Sequence, residues 1–444
     1  MKQSVSERSG TRVHWNNGTE EDAQAKAAVA ALLQSELSAD QAVQIALLNN
    51  HELQAVYEEL NLAQSDVVQA GLLKNPVFSG DVRFGVSGIG PGVDLGIAQD
   101  FVSLLAMPLK KGRAEAAFEA AKIRVTGAVL DTAFEVRTAF YNYQAAQQAR
   151  EMRTTVAEAT AASYELASRL RDAGNIRELD LSNERALKEQ SKIELAAAQA
   201  EEIRLRERMN ALMGLWGSQT QWIAAARLPA LPEEQTPAHG LEAKAIAASL
   251  DLALLRREAE IAARSAGIAK PFAWMEGAEI GAVSERDLDG AWSVGPSLAL
   301  PIPIFDQGQA SVAAAHARYK QAAERTIARA VEIRSRVRAA QSGVLSAYER
   351  ARYYEKIMLP LKQKILDETQ LQFNAMQVSA FQLLQAKRDQ IAAGGEYIAS
   401  VHDYWQARAS LDQVLSGRMT PFERTTQSTD AMSMIAGNSG NGGH

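Results

Sequence analysis

Two prolines that each open an extended stretch, and two more that each open a helix, recur at identical spacing: Pro76 with Pro108, and Pro271 with Pro303. Other marks repeat in the same order. Glu52-Leu53 matches Asp251-Leu252, Glu135-Val136-Arg137 matches Glu332-Ile333-Arg334, and Leu179-Asp180-Leu181 matches Phe381-Gln382-Leu383. An ordered series of this kind reads as internal duplication, in which each unit offers faces that a neighbouring unit must cover. Each copy reads as a long helix, a short β-hairpin and a very long helical hairpin.

The spacing of apolar residues supports that outline. From the capping box Ser38/Gln41, Val43, Leu47, Leu53, Val56, Leu60 and Val67 keep helical period to Gly71, with a bend expected near Asn49-Asn50. The period then changes to two. Phe78, Gly80, Val82, Phe84 and Val86 alternate with Ser79, Asp81, Arg83 and Ser87, and Val93, Leu95, Ile97 and Phe101 alternate with Asp94, Gly96, Ala98 and Asp100. Gly85, Gly88, Gly90, Gly92 and Gly96 serve this hairpin rather than a phosphate loop, which needs a strand followed by a helix N-terminus. In the second copy Trp292, Val294, Pro296, Leu298 and Leu300 alternate with Ser293, Gly295, Ser297 and Ala299. Their expected partner is 273–283, with a charged turn at 284–290 in which Asp287 and Asp289 read as solvated loop acids.

After Pro108 the helical period persists to Arg171, a span of about 95 Å at 1.5 Å per residue. Phe118, Val129 and Phe140 are eleven apart, as are Ala114, Val125 and Val136, a spacing that lets helices pack almost straight. Asp172-Ala173-Gly174-Asn175 suits a left-handed C-cap before a return helix to Leu215. The second hairpin runs from Asp306 to near Gln377 and back from Ala380, with a kink expected at Pro360.

The domain outline follows: 1–37, a polar N-terminal segment with a short helix; 38–217, the first repeat, with β-hairpin 77–103 and helical hairpin 108–215; 218–240, an irregular connector. Residues 241–417 form the second repeat, with β-hairpin 272–302 and helical hairpin 305–415, and 418–444 reads as a disordered tail.

Little in the composition points to catalysis. Cysteine is absent, and His14, His51, His239, His316, His402 and His444 show no metal-binding spacing. No enzyme, cofactor or resident metal is expected. The formal charge of −6 is spread along the chain, so nucleic acid is not an expected partner. Met1 to Gly10 is polar, with no visible signal peptide and no cysteine for acylation, which by itself describes a cytosolic protein. Four strands with one apolar face leave edges exposed, and three copies would supply twelve strands for a closed barrel.

The stretches Ala46-Leu47-Leu48-Asn49-Asn50, Leu53-Gln54-Ala55 and Gln69-Ala70-Gly71-Leu72-Leu73-Lys74-Asn75-Pro76 are joined by Gln99-Asp100-Phe101, Pro301-Ile302-Pro303-Ile304-Phe305-Asp306 and Ala173-Gly174-Asn175. Together they resemble the TolC family of outer-membrane efflux proteins over residues 38–417. The branch resembled serves heavy-metal and other resistance-nodulation-division pumps.

The resemblance implies a mainly α fold with a small β part. A homotrimer would form a 12-stranded β-barrel in the outer membrane, continued by an α-barrel of long helical hairpins across the periplasm. It implies a passive exit duct fed by a periplasmic adaptor and an inner-membrane pump, with heavy-metal ions as one candidate cargo. The missing leader then reads as a misplaced or truncated start, and the alternative is a soluble coiled-coil-like scaffold derived from such a channel.

Phe78, Val82, Phe84, Val93, Leu95, Ile97, Trp292, Val294 and Leu298 would face lipid. Ser79, Asp81, Arg83, Asp94, Asp100, Ser293 and Ser297 would face the lumen. The periplasmic tip, gate and adaptor contact would use Asp172, Gly174, Asn175, Arg177, Glu178 and Asp180 at the first turn, and Gln377 and Ser379 at the second. Ser379 stands where the family's pattern has glycine.

Overall fold

The computed structural model describes residues 2–84, 91–234, 239–272, 278–287, 290–300, 304 and 309–419. Helix α1 (Lys2–Ser9) and helix α2 (Glu20–Leu32) precede α3 (Ala39–Asn49) and α4 (His51–Ala70). Strands β1 (Val77–Arg83) and β2 (Gly92–Asp100) lead into α5 (Phe101–Asp172), which returns as α6 (Glu178–Met213). The second half runs α7 (Leu241–Ala248), α8 (Leu250–Phe272), β3 (Glu279–Arg286), β4 (Trp292–Ala299) and α9 (Gln309–Tyr353). A π-turn (Tyr354–Met358), α10 (Leu359–Asn374) and α11 (Ala380–Leu415) complete it. Helix α5 alone has 72 residues, about 108 Å of helix at 1.5 Å per residue.

The four strands form one antiparallel sheet in the order β1-β2-β3-β4, so the two hairpins join through β2 and β3. Apolar side chains gather elsewhere, where α3, α4, α5 and α6 meet the connector: Ile45, Leu47, Tyr57, Val125, Val129, Val136, Phe140, Met209, Met213 and Trp222 are buried there. Both eleven-residue series from α5 enter this seam through Val125, Val129, Val136 and Phe140. The Trp222 indole donates to Asn210 Oδ1 (2.7 Å) under the Arg206 guanidinium, which satisfies its N–H while its ring stays packed.

Several boundaries differ from the sequence expectation for physical reasons. The N-terminal segment carries α1 as well as α2, because Val5 is buried in the core and Arg8 donates to two helix C-terminal carbonyls, Ala248 O (2.5 Å) and Ser416 O (2.7 Å). Helix α5 starts at Phe101, with Pro108 inside it. Pro271 likewise lies within α8, and β3 ends at Arg286, so the charged turn begins at Asp287. Arg418 and Met419 belong to the fold: Met419 is buried, and Arg418 bridges Asp131 and Asp251. The rest of the expected tail, the tip of the first β-hairpin at 85–90 and the Pro303 helix start lie outside the described residues.

The bend expected at Asn49-Asn50 is a full break. Asn50 is extended (ψ 116°), and its Oδ1 accepts from the Leu53 amide (3.0 Å) to cap α4. Ser249 breaks α7 from α8 in the same way (ψ 115°), its Oγ accepting from the Leu252 amide (3.1 Å). Each break is clamped by the end of a return helix. Asn49 Nδ2 donates to the carbonyls of Met213 and Gly214, and the Leu250 amide donates to Gly417 O.

At the first clamp Gly214 has φ +67°, and an added Cβ would stand 2.6 Å from Asn49 O. Gly174 has a similar φ of +76° with open space around it. Gly174→Ala therefore costs about 1 kcal/mol, the left-handed strain alone, whereas Gly214→Ala costs about 2 kcal/mol or more because backbone must also move. Chemical denaturation followed by far-UV circular dichroism separates the two.

Candidate functional site

The strand register sorts the sheet into two chemically distinct faces. Residues directly opposite each other across antiparallel strands lie on the same face. Phe78 pairs with Ile97, Gly80 with Leu95 and Val82 with Val93; the same face continues through Ile280 opposite Leu298, Ala282 opposite Pro296, Ser284 opposite Val294 and Arg286 opposite Trp292. These apolar side chains are open rather than covered: Phe78 is 71% exposed and Val294 79%. Phe84, just past β1, is exposed too.

The other face is polar. Ser79, Asp81 and Arg83 meet Gly96, Asp94 and Gly92; Asp94 lies opposite Glu285, and Glu285 opposite Ser293. Ser297 and Asp100 share this face, the latter opposite Glu279 and paired with Lys74 (2.8 Å). Arg83 reaches across three strands to both Asp94 and Glu285, each at 2.7 Å. Glu285 and Glu279 had no clear signal in the sequence, because Val283 on the polar face and Ser284 and Arg286 on the apolar face blur the alternation of β3.

At the far end of the helices lie two turns of the same build. In the first, Gly174 takes the left-handed conformation, its amide donates to Arg171 O (2.9 Å) and the Asn175 amide to Leu170 O (2.8 Å), the paired bonds of a Schellman cap. In the second, Met376 occupies that left-handed position (φ +60°), with its amide on Phe373 O (2.9 Å) and the Gln377 amide on Gln372 O (2.8 Å). Ser379 does not need to be glycine: at φ −79° and ψ 159° it is the N-cap of α11, sharing a capping box with Gln382. Met376 stands three residues before that cap, as Gly174 stands three before Arg177, and it is 93% exposed.

The caps differ in chemistry. Asp180 accepts from the Arg177 backbone (3.3 Å) and side chain (3.2 Å), while Glu178 pairs with Arg171 (3.0 Å) and Asp172 ends α5. The Arg177 guanidinium holds the Asp180 carboxyl below the usual carboxylate range. Behind the two turns the hairpins are joined by a buried contact: Glu184 of α6 pairs with Arg388 of α11 (3.0 Å) and accepts from Ser163 of α5. Among the described residues no group of three or more His, Asp or Glu is placed to hold a metal, and no helix is long and apolar enough to cross a membrane.

Two outcomes follow from the turns. Met376→Gly removes left-handed strain of about 1 kcal/mol and protects the Gln377 amide about fivefold in hydrogen exchange. Acid separates the turns as well. Asp180 has a folded pKa below its unfolded value of about 4, so its cap contributes above that value and is lost as pH falls through the folded one. The Ser379/Gln382 cap does not titrate, so acidification lowers amide protection at the first turn relative to the second.

Residues 277–417 match the family described as Outer membrane efflux protein. The chain is 24% identical over 388 residues to the cobalt-zinc-cadmium resistance protein CzcC of Cupriavidus metallidurans, covering 85% of this chain and 90% of that protein. Its fold is shared with the CmeC outer membrane channel of Campylobacter jejuni at a TM-score of 0.72 and 14% identity, covering 90% of this chain and 88% of that one. CusC gives a TM-score of 0.68 at 16% identity, covering 86% and 93%. With its long helical hairpins and its single four-stranded sheet, the chain has the fold of these solved channels, and residues 277–417 carry the sequence match to the outer membrane efflux proteins.

Proposed function

We infer that three copies of this chain assemble into a passive exit duct for a resistance-nodulation-division pump, joined to it through a periplasmic adaptor at the helical turns. The observation that carries this reading is the sheet: one continuous apolar face and two edges, β1 and β4, that pair with no other described strand. Backbone groups in lipid must be hydrogen-bonded all round, so such a sheet suits a membrane only as part of a closed barrel. Three sheets of four strands supply twelve, an even number within the bacterial range.

In that barrel the Phe78–Val82 and Trp292–Leu298 face meets lipid, with Trp292 and Arg286 beside the hairpin turn as interfacial anchors. The face carrying Asp81, Asp94 and Glu285 lines the lumen. Exposed apolar side chains on α6, Ile193 and Ile203, and on α9, Ile327 and Val331, supply flanks for a neighbouring copy. Asp172, Glu178 and Asp180 then recur as rings at the periplasmic mouth, which favour cations.

The likeness to a cobalt-zinc-cadmium resistance protein favours divalent metal ions as cargo. Selectivity among cargoes belongs mainly to the pump and adaptor, and the duct itself turns over nothing.

The test is conductance in planar bilayers after purification in detergent. A trimer with cation-preferring conductance is expected, and replacing Asp81, Asp94 and Glu285 by their amides lowers the cation-to-anion permeability ratio by roughly twofold or more. A stable monomer without conductance overturns the reading in favour of a scaffold.

A further inference from the structure

The strand register sets three acids side by side. Asp81 of β1 lies opposite Asp94 of β2, which lies opposite Glu285 of β3, and Ser293 of β4 ends the row. The row crosses the polar face beside the two hairpin turns, at the end of the sheet remote from the helices. The next two rows toward the helices run through Gly96 and Gly281 and carry no ionisable side chain; Asp100 and Glu279 follow. Cross-strand neighbours have Cβ atoms about 5 Å apart, and like charges so placed repel.

One cation answers them. Arg83 projects from the row nearer the turn, opposite Gly92, which has no side chain to meet it. A single nitrogen, Nη2, stands 2.7 Å from Asp94 Oδ2 and 2.7 Å from Glu285 Oε1. The Arg83 side chain is 60% exposed, so these pairs contribute little to stability. Their effect is on charge and occupancy, because the guanidinium sits where the two carboxylates converge.

That point is where a free cation would otherwise settle. Ca²⁺ takes carboxylate oxygens at about 2.3–2.6 Å in flexible geometry, close to the distances that Nη2 keeps, and Asp81 adds a third carboxylate alongside. Conduction needs sites that hold an ion weakly enough to release it. Three open acids in one row, repeated in each copy, would hold a divalent cation too well.

We propose that Arg83 is a tethered counterion, which occupies this position and keeps the row from retaining divalent cations on their way out. Covalent attachment gives the guanidinium an effective concentration that a dilute ion does not match. Three acids against one guanidinium still leave the row net negative, so the preference for cations survives while the tight site does not. The consequence for transport rests on the duct reading above; the occupancy of the site by Arg83 does not.

The test replaces Arg83→Gln and adds Ca²⁺. In planar bilayers carrying potassium current, the R83Q channel is expected to be half-blocked at a Ca²⁺ concentration about tenfold or more below that needed in the unmodified channel. Adding Glu285→Gln to R83Q removes one converging carboxylate and returns the blocking concentration most of the way. Should R83Q not assemble, Arg83→Lys keeps the charge but loses the fork, and half-block shifts in the same direction by about threefold.

Calorimetry with Ca²⁺ on the full chain in detergent reads the same exchange without conduction. R83Q gains about one Ca²⁺ site per chain, which the unmodified protein and the R83Q/E285Q variant lack. Equal block and equal Ca²⁺ binding in the unmodified chain and the Arg83 variants overturn the proposal. A gain of Ca²⁺ binding in a protein that forms no pore sinks the duct reading and leaves the counterion standing.

Discussion

Backbone hydrogen bonding at the two outer strands governs the rest of this molecule. Between β1 and β4 every strand has a partner on both sides, but the outer edges of those two strands present amides and carbonyls to whatever lies beyond. Water would satisfy them, yet the same sheet offers an open apolar face from Phe78 to Trp292 that water does not favour. One arrangement answers both demands. Edge pairing with further copies, as proposed above, would close the ring and turn the apolar face outward to hydrocarbon.

The helices answer a different demand, that of holding about 100 Å of hairpin in fixed relation to the sheet. Here the structure uses polar contacts at chosen levels more than a wide apolar core. Level with Asp131, well along α5 from the sheet, the ends of α6 and α11 clamp the breaks at Asn50 and Ser249 through carbonyl-directed hydrogen bonds. Along the seam between α5 and α11, Gln406 donates to Thr138 O and Asn142 Oδ1, and His402 contacts Asn142. Near the tips Glu184 and Arg388 are paired and largely buried. Such contacts specify register, because a helix that slides by one turn leaves buried polar groups without partners.

Much of this was legible in the residues. Alternation in 78–84 and 292–300 set which side chains share a face, and the pairing keeps that sorting intact in β1 and β4. Gly174 announced its turn through its own conformational freedom. The frame of β3 was not legible, since Ser284 and Arg286 fall on the face that Ile280 and Ala282 occupy, and only pairing with β2 and β4 settles it. Nor was Met376 legible as a left-handed residue. A long apolar side chain carries no preference for that conformation, and the paired cap bonds impose it.

The sequence alone determined the period of each segment, and through it the succession of helices and strands, because side-chain spacing along a chain is a local property. It also determined that one face of each hairpin would be greasy. Tertiary structure decided what local spacing leaves open: that the two hairpins fuse into one sheet, that Arg83 spans Asp94 and Glu285, and that α3 and α4 part fully at Asn50, where the end of α6 holds them. Each of these joins residues far apart in the chain, and such a contact is fixed only when competing packings have been compared in three dimensions.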